Sequence, residues 1–456
     1  MLSWRRKRSA EKKAAKKQDL EQITNMEVVI PSSFRCPISL DLMKDPVTLS
    51  TGITYDRDNI EKWIEGSRGS NHHTCPITKQ ELRDLEPIPN HTLRKMIQEW
   101  CVENKNHGIE RIPTPRIPIT SYEVTEILDR LETAGRGKDE EVCRELVAKI
   151  KGKAKESERN KRCFLAKGTN RVLAATFKSF SEHSSKVSFD KNVKVLEEIL
   201  SVLTIMSKHD DHEAKVILGS NSCLSSMSGI LRSGSLSGRQ NSVLALIEIV
   251  RFDQSKVDVL VQNDGVLEAL VKMVKEPICP TTTKGSLLLM YNLVSKSSSI
   301  DQNKIRTRLA EMGLVEFLLE IIVESEKSIS EKALGVVNEI CSSKEGRKRA
   351  YNNALTIPLL VKKILRVSDL ATEFSVSILW KLLGKNEEEE EERGRDVLIE
   401  ALQLGGFQKL LLLIQVGCGE KTKEKASDLL KLLNLYRNRA AECIESLDLK
   451  NIKRTF

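Results

Sequence analysis

The sequence predicts a mostly helical protein in which a small ββα module precedes a solenoid of helical repeats. Two observations predict this fold class. Nine of the 12 prolines precede residue 119 and three of the four tryptophans precede residue 101, which indicates a turn-rich first quarter. Beyond residue 122, apolar residues recur at helical spacing, and short turn signals return at steps of about 43 to 53 residues.

Composition divides the chain into five segments. A chain of 456 residues is too long for one hydrophobic core, so we expect at least two domains. Changes in charge, proline and apolar content predict a basic leader over residues 1–28, the small module over 29–105, a proline-containing linker over 106–121, helical repeats over 122–440 and a C-terminal tail over 441–456.

The net charge of +9 is concentrated in the leader, in the run Arg5-Arg6-Lys7-Arg8 and in the lysines that follow it. The rest of the chain is close to balanced, so we expect no nucleic-acid partner. The leader fits a nuclear-import signal, a contact with anionic membranes or a solubilising tail, and these readings stay open. Six consecutive acids over residues 387–392 are typical of a solvated loop.

Targeting signals are the next feature. No run of 18 apolar residues occurs, so we expect no transmembrane segment. The N-terminus lacks the charged–apolar–small pattern of a secretory signal, and the ten cysteines have no framework spacing. We therefore expect a cytoplasmic protein in a reducing compartment, with entry into the nucleus left open.

The small module begins with two strand patterns. Residues 46–50 and 53–56 read as short strands joined by a turn at Thr51-Gly52. Asp56 or Asp58 is placed to cap a following helix, and Asn90 to cap a last one. The expected apolar faces of these helices are Ile60, Trp63 and Ile64 on the first and Leu93, Ile97 and Trp100 on the second. Tyr55, Leu42, Val47 and Trp100 are assigned to the core.

Two loops that each begin Cys-Pro-Ile flank the first of these helices, at Cys36 and Cys75. A cross-braced zinc module needs two tetrahedral ligand sets, commonly built from Cys-x2-Cys pairs. Here the third position after each cysteine is Ser39 or Thr78, whose hydroxyls are poor zinc ligands beside thiolates. We therefore expect no metal and no cofactor, and buried thiols instead. The polar contacts that would replace a metal are drawn from Ser39, Asp41, Asp45, Thr78 and Lys44 or Arg57.

The rest of the chain repeats itself. A polar or glycine-containing turn precedes an apolar helix near residues 168, 221, 264, 312, 355 and 405, and each unit then carries another apolar helix. One unit cannot bury its apolar faces alone, so neighbours must stack into a continuous core. The period resembles that of armadillo or HEAT repeats, and the glycine at the bend fits armadillo units, of which about six divergent copies are expected.

The small module resembles the U-box family closely. The resemblance rests on Cys36-Pro-Ile-Ser-Leu-Asp-Leu-Met-Lys-Asp-Pro-Val47, then Thr51-Gly-Ile-Thr-Tyr-Asp-Arg57 with Trp63, then Cys75-Pro-Ile-Thr78 and Pro89-Asn90. A U-box ahead of armadillo-type repeats is similar to the plant U-box ubiquitin ligases. The resemblance implies a zinc-free RING-like fold that docks a ubiquitin-charged conjugating enzyme and promotes direct transfer to a substrate lysine.

The resemblance also implies site residues. Ile38, Leu40 and Pro76 would line the groove that docks the conjugating enzyme, and Trp63 would contribute from the helix. The alternative for Ile38 is an ordinary position in the hydrophobic core. For a residue on a helix face, such as Trp63, a core position is the commoner role. Lys79 matches the position of a basic residue that contacts both ubiquitin and the conjugating enzyme. Arginine is more usual at this position, and lysine lacks its planar fork of donors. This departure bears on the strength of ubiquitin clamping and not on docking itself.

The repeats would hold the substrate. Asn241, Asn292 and Asn338 lie on the second apolar helix of their units, where armadillo arrays often hold extended peptides, although chance can explain them. The U-box resemblance leaves a homodimer open. A scaffold without transfer activity is the main rival function, and a zinc-dependent nucleic-acid protein is a distant one. A covalent mechanism is disfavoured because the late cysteines, at 341, 418 and 443, lie in or beside repeat helices.

Overall fold

The computed structural model describes residues 29–66, 74–82, 84–85, 87–112, 118–182, 186–206, 211–383 and 397–445. The chain forms two compact units, Met1–Ile117 and Pro118–Phe456, and their boundary falls within the stretch 106–121. The basic leader, the acidic run 387–392 and residues 446–456 of the predicted tail lie outside the described residues.

The first unit contains a small antiparallel sheet. Strand β1 (Pro46–Thr48) pairs with β2 (Thr54–Asp56) so that Val47 faces Tyr55, as the two strand patterns predicted. A third strand, β3 (Ile88–Pro89), pairs with the other side of β1. Sequence reasoning missed β3, because it is two residues long and contains proline, which cannot donate to a ladder and argues against a strand.

Two helices complete this unit, α1 (Arg57–Gly66) and α2 (His91–Glu103). The Oδ1 atom of Asn90 accepts a hydrogen bond from the Leu93 N–H at 3.0 Å, which confirms the predicted cap of α2. Asp56 has another role than the expected cap of α1. Its Oδ1 accepts the backbone N–H groups of Lys44 and Asp45, each at 2.8 Å, and so links β2 to the segment before β1.

The core of the first unit lies between the sheet and the two helices. Tyr55 and Val47 are fully buried there, as predicted, together with both loop thiols, Cys36 and Cys75. Leu42 and Trp100 are partly buried and pack against this core. This core is small and consists of few side chains, so the polar contacts around it matter for the stability of the unit.

The second unit begins with a helix pair and continues, in the part that the structure describes, with six groups of three helices. The pair is α3 (Ser121–Gly137) and α4 (Glu140–Glu156). The groups are α5 (Glu158–Ala166), α6 (Thr169–Ser181), α7 (Lys186–Met206); α8 (His212–Leu218), α9 (Asn221–Ser233), α10 (Leu236–Phe252); α11 (Lys256–Gln262), α12 (Val266–Lys275), α13 (Pro280–Lys296); α14 (Ser299–Glu311), α15 (Leu314–Glu324), α16 (Lys327–Ile340); α17 (Lys344–Tyr351), α18 (Thr356–Lys363), α19 (Asp369–Leu383); and α20 (Val397–Gln403), α21 (Gly406–Val416), α22 (Glu420–Glu445).

Glycine makes the bend between the first and second helix in four groups. Gly168, Gly265, Gly313 and Gly405 each have φ between 70° and 80° and directly precede the second helix of their group. This left-handed conformation is open to glycine and costly for most other residues, so the predicted role of these glycines is confirmed. The turns before α9 and α18 use ordinary negative φ values instead.

Successive groups stack through their third helices, so that α7, α10, α13, α16, α19 and α22 each contact the next. One continuous apolar core runs through the whole stack. This is the arrangement of an α-solenoid, in which each unit contacts mainly its neighbours. Among the described helices none is long and apolar enough by itself to cross a membrane, and only α20 and α21 together, across a 72° bend, reach that length and composition.

Candidate functional site

The two Cys-Pro-Ile loops of the first unit have the same hydrogen-bonded turn. In the first loop (residues 36–40) the Leu40 N–H donates to the Cys36 carbonyl at 2.8 Å, and in the second loop (residues 75–79) the Lys79 N–H donates to the Cys75 carbonyl at 3.0 Å. Each cysteine N–H then donates to the residue just beyond its loop, at 2.8 and 2.9 Å. The loops are therefore structural copies of one another.

Each copy ends in a residue with a left-handed backbone that is not glycine. Leu40 has φ 62° and Lys79 has φ 58°. This conformation costs a residue with a Cβ about 1 kcal/mol or more, and glycine would avoid the cost. Such strain is concentrated at functional sites. Both side chains point to solvent, with Leu40 67% exposed. The strain therefore marks these two side chains as candidates for function.

The remaining predicted docking residues lie beside them. Ile38 is half-buried and packs against the core, so its two proposed roles are not exclusive. Pro76 is half-buried, and Trp63, which is 37% exposed, lies at the surface and not in the core. Ile77, the counterpart of Ile38 in the second loop, is 54% exposed and was missed from the sequence. The repeated Cys-Pro-Ile could have indicated it.

Helix α1 attaches to both loops through two residues one turn apart. The Asn59 side chain donates to Ser39 Oγ at 3.0 Å and lies 3.6 Å from Cys36 Sγ. The indole Nε1 of Trp63 donates to the carbonyl of Thr74, the residue before the second loop, at 2.9 Å. Residues i and i+4 share one face of a helix, so a single face sets the position of both loops. Asn59 was not predicted from the sequence, although its spacing from Trp63 is a usable signal.

The two cysteine sulfurs accept hydrogen bonds where a metal module would have ligands. The backbone N–H of Asp56 donates to Cys36 Sγ at 3.3 Å. Tyr55 hydroxyl and Cys75 Sγ are 3.0 Å apart, and the Thr51 hydroxyl donates to the same sulfur at 3.4 Å. Tyr55 and Asp56, which are adjacent in β2, thus contact different loops. Among the described residues no three His, Cys, Asp or Glu side chains form a group able to hold a metal ion.

These contacts shift the ionisation of both thiols. Burial by itself raises the pKa of the Cys75 thiol, but hydrogen bonds from Thr51, Thr78 and Tyr55 outweigh it and lower that pKa to about 6. At Cys36, burial is likewise outweighed by hydrogen bonds, chiefly from the Asp56 backbone, and the pKa is lowered. Burial and the contact with Cys75 raise the pKa of Tyr55. Both thiols therefore act as acceptors inside the protein.

An ion-pair cluster supports the base of the first loop. Asp45 Oδ2 lies 2.6 Å from Arg57 Nε, and its Oδ1 lies 3.4 Å from Arg94 Nη1, with all three side chains mostly buried. This pair of contacts joins the segment before β1 to α1 and α2. Of the expected polar network, Ser39, Asp45 and Arg57 take part in long-range contacts, and the Lys44 contribution comes from its backbone. Thr78 accepts from the Gln80 N–H, a contact local to its loop.

Comparisons with known proteins identify both units. The model of the U-box domain matches residues 30–106, and that of the plant U-box protein ARM repeat region matches residues 123–454. The chain belongs to the plant U-box protein family. U-box domain-containing protein 21 of Arabidopsis thaliana is 43% identical over 94% of this chain and 94% of that protein. E3 ubiquitin-protein ligase PUB23 of the same species is 33% identical over 90% and 94%. A designed armadillo repeat protein aligns with a TM-score of 0.43 at 18% identity, over 57% of this chain and 99% of that one.

The first unit is thus a U-box and the second an armadillo repeat region, as the sequence predicted. Membership of this family confirms the predicted enzyme class, a U-box E3 ubiquitin ligase. The matched stretch includes both Cys-Pro-Ile loops and α1. The candidate site that these loops form with α1 therefore lies within the U-box.

The three asparagines predicted for the substrate face occupy different environments in the U-box protein's repeats. Asn241 on α10 is half-buried and contacts Ser237 of its own helix. Asn292 on α13 is 5% exposed and Asn338 on α16 is 8% exposed. The Asn338 amide oxygen accepts from Lys381 Nζ of the next group at 2.9 Å, and its nitrogen lies 3.3 Å from a Glu339 oxygen. The burial of Asn292 and Asn338 weighs against an open row of amides there.

Proposed function

We propose that the U-box docks a ubiquitin-charged conjugating enzyme on Ile38, Leu40, Pro76 and Trp63, and that Lys79 clamps the ubiquitin. Ile77 joins this surface from the second loop. One observation carries the proposal: two copies of the same strained turn, both attached to α1, present a leucine and a lysine to solvent. A backbone shape shared by two loops that carry different side chains suits a surface that contacts two partners at once.

The chemistry follows from positioning. A substrate lysine attacks the thioester that joins ubiquitin to the conjugating enzyme; the new bond is an amide, and the enzyme's thiolate leaves. No group of the U-box needs to form a covalent bond with ubiquitin. The thiols of Cys36 and Cys75 are fully buried, and both accept hydrogen bonds. Holding the reacting groups in an aligned pose is sufficient to accelerate such a transfer by orders of magnitude.

We place the substrate on the third helices of the armadillo region. Tyr291 of α13 and Phe374 of α19 meet over Gly335 of α16, with ring centroids 6.1 Å apart. A Cβ on Gly335 would lie 3.1 Å from the Phe374 ring and 3.3 Å from the Tyr291 ring. Both rings are half-buried and meet edge to face at an interplanar angle of 60°, so they offer an angled aromatic surface to an extended segment of a partner. This surface is a better candidate than the buried Asn292 and Asn338.

A reconstituted assay tests the docking proposal. Purified activating enzyme, a panel of conjugating enzymes, ubiquitin and ATP are combined with the wild-type chain or with Ile38→Ala. We expect chains of ubiquitin with the wild type and their loss with Ile38→Ala, whose fold is checked by circular dichroism. Ile399→Ala, an exposed isoleucine of the armadillo region, is the matched control and stays active. Full activity of Ile38→Ala with several conjugating enzymes would contradict the docking surface.

A scaffold without transfer activity is the alternative function. It predicts no ubiquitin chains with any member of the panel, whereas the proposed function predicts chains with at least one. The substrate proposal is tested separately. Proteins whose ubiquitination in a plant extract requires the wild-type chain should lose it when Tyr291 and Phe374 are both changed to alanine, while self-ubiquitination continues.

A further inference from the structure

The ammonium of the second loop lies over the indole of α1. Lys79 Nζ is 5.5 Å from the centroid of the Trp63 ring, within the range of a cation–π contact. The same ring is fixed at its other edge, because Nε1 donates to the Thr74 carbonyl at 2.9 Å. Both side chains reach solvent. Trp63 thus connects the start of the second loop, through a hydrogen bond, to the side chain at its end.

We propose that Trp63 is a positioning residue for Lys79, holding its ammonium where the docked conjugating enzyme and its ubiquitin meet. This inference rests on the clamping role proposed for Lys79. In this proposal Trp63 does more than contribute contact area. Its indole face restricts the position of the Lys79 ammonium before the conjugating enzyme binds.

The chemistry of lysine explains why a positioning residue is needed. Arginine presents its donors in a rigid planar fork, whereas lysine carries a point charge on a flexible four-carbon stem. A flexible donor loses more freedom when it is clamped between two partners, so prior restriction increases the fraction of productive complexes. The left-handed backbone of Lys79 directs the stem, and the Trp63 ring restricts its end. Together they compensate in part for the missing fork.

Two substitutions separate the contacts of Trp63. Trp63→Phe keeps an aromatic face for the ammonium but removes the Nε1 donor to Thr74. Trp63→Leu keeps apolar bulk for docking but removes the face. An exposed cation–π contact changes an equilibrium by about two- to fivefold, which sets the size of the effect expected for Trp63→Leu.

The experiment uses the full chain and the conjugating enzyme that gives the fastest ligase-dependent release of ubiquitin. Single-turnover discharge of that charged enzyme onto free lysine is measured at saturating ligase, and the affinity of the uncharged enzyme is measured separately by calorimetry. Lys79→Ala is expected to slow saturated discharge about tenfold. Trp63→Leu is expected to slow it about two- to fivefold and to have no further effect when Lys79 is already alanine. Trp63→Phe should retain more of the rate than Trp63→Leu.

Replacing Lys79 with arginine supplies the rescue. In the Trp63→Leu background, Lys79→Arg should restore the saturated rate, because the planar fork does not need the ring. Equal effects of Trp63→Leu in the presence and absence of the Lys79 side chain would overturn the inference, as would an effect on affinity alone. Trp63→Met replaces Trp63→Leu in the same cycle if the leucine variant melts early.

The inference and the proposed function fail in different ways. If Lys79→Ala slows discharge but Trp63→Leu does not, the clamp stands and the positioning role of Trp63 is wrong. If Lys79→Ala leaves saturated discharge unchanged, the clamping role itself is wrong and the inference falls with it. If the wild-type chain discharges no charged enzyme of the panel, the proposed function is overturned as a whole.

Discussion

The first and second loops of the U-box share a backbone and differ in their side chains. Both close with the same pair of backbone hydrogen bonds and both end in a left-handed residue, yet the first presents Leu40 where the second presents Lys79. A turn of this kind fixes the position of the side chain at its end but not the chemical character of that side chain. At these equivalent positions the first loop presents an apolar side chain and the second presents a charge. The proposed docking surface therefore predicts that Leu40 contributes to affinity and Lys79 to the rate of transfer.

The loops also differ in how they are held. The sulfur of Cys36 accepts from the Asp56 backbone and lies near an amide of α1, whereas that of Cys75 accepts from the Thr51 hydroxyl and lies 3.0 Å from the Tyr55 hydroxyl. Hydrogen bonds lower the pKa of both thiols against the effect of burial, and the hydroxyl donors bring that of Cys75 to about 6. A backbone donor keeps its geometry when a side chain is changed, but hydroxyl donors are easily removed. The second loop is therefore the more sensitive of the two to pH and to substitution.

The isoleucines at equivalent positions give the largest expected difference. Ile38→Ala should weaken binding of the conjugating enzyme about 30-fold or more, because a half-buried anchor near the centre of an interface is a typical hot spot. Ile77→Ala should weaken it less, by about three- to tenfold, because its side chain is more exposed in the free protein. Calorimetric titration of the full chain measures both. Equal losses would remove the distinction between the loops.

Leu40→Gly is expected to separate stability from binding. Glycine relieves the left-handed strain, so the free energy of unfolding should stay level or rise by about 1 kcal/mol. Affinity for the conjugating enzyme should fall about five- to thirtyfold, since the apolar contact area of the side chain is lost. Urea unfolding and calorimetry report the two quantities.

Leu40→Ala is the control for that experiment. It should lose similar affinity but keep the strained backbone, and so be the less stable of the two variants. A glycine variant that binds as tightly as the wild type would show that Leu40 is not part of the docking surface.

Lys79→Gly makes the same backbone change in the second loop. Its affinity for the uncharged conjugating enzyme should remain within about twofold of wild type, because a rim charge contributes little to equilibrium binding. Discharge of charged enzyme at saturating ligase should fall about tenfold, because the contact is made chiefly in the reactive pose. Single-turnover assays measure this, and a loss of affinity with no loss of saturated rate would reverse the proposed division of labour.

The last expected difference between the loops concerns the pH dependence of stability. The native pKa of Cys75 is about 6 against an ordinary value of 9.0, so the native state binds fewer protons than the unfolded state between these pH values. Stability from this thiol should therefore rise as the pH increases from 6 to 9, be complete above 9 and be lost below 6. The slope is at most about 1.4 kcal/mol per pH unit.

Urea unfolding followed by tryptophan fluorescence measures this slope. A Trp380→Phe background is used because the other three of the four tryptophans precede residue 101. Cys75→Ser should flatten the dependence. Cys101→Ser is the control, because burial raises the pKa of that thiol instead of lowering it. An unchanged slope in Cys75→Ser would mean that the hydroxyl donors do not stabilise a thiolate.

The sequence predicted β1 and β2, the cap at Asn90 and the repeat bends at glycine because each depends on near neighbours in the chain, whereas the two-residue β3 was missed. Asn90 needs only a free N–H three residues on, and a glycine bend needs only its own backbone freedom. The role of Asp56 was missed because its partners, Lys44 and Asp45, lie on a different segment. Asn59 was missed for the same reason, since its contacts are with the first loop.

The repeats show the same limit. Periodicity placed Asn338 on the correct helix, but Lys381 of the following group occupies its amide oxygen. That contact depends on how two helices stack, which periodicity does not specify. The aromatic pair of Tyr291 and Phe374 is formed across an intervening helix and has no local signature.

By itself the sequence determined the two-part architecture, the family and the loop residues that differ, Leu40 and Lys79, because motif and period are local properties. Only the tertiary structure decided that both loops hold the same strained turn, that one face of α1 sets them, and that Lys79 lies over Trp63. The physical reason is that hydrogen bonds and packing between distant segments are fixed by the assembled core, and no single segment contains the information about its partner.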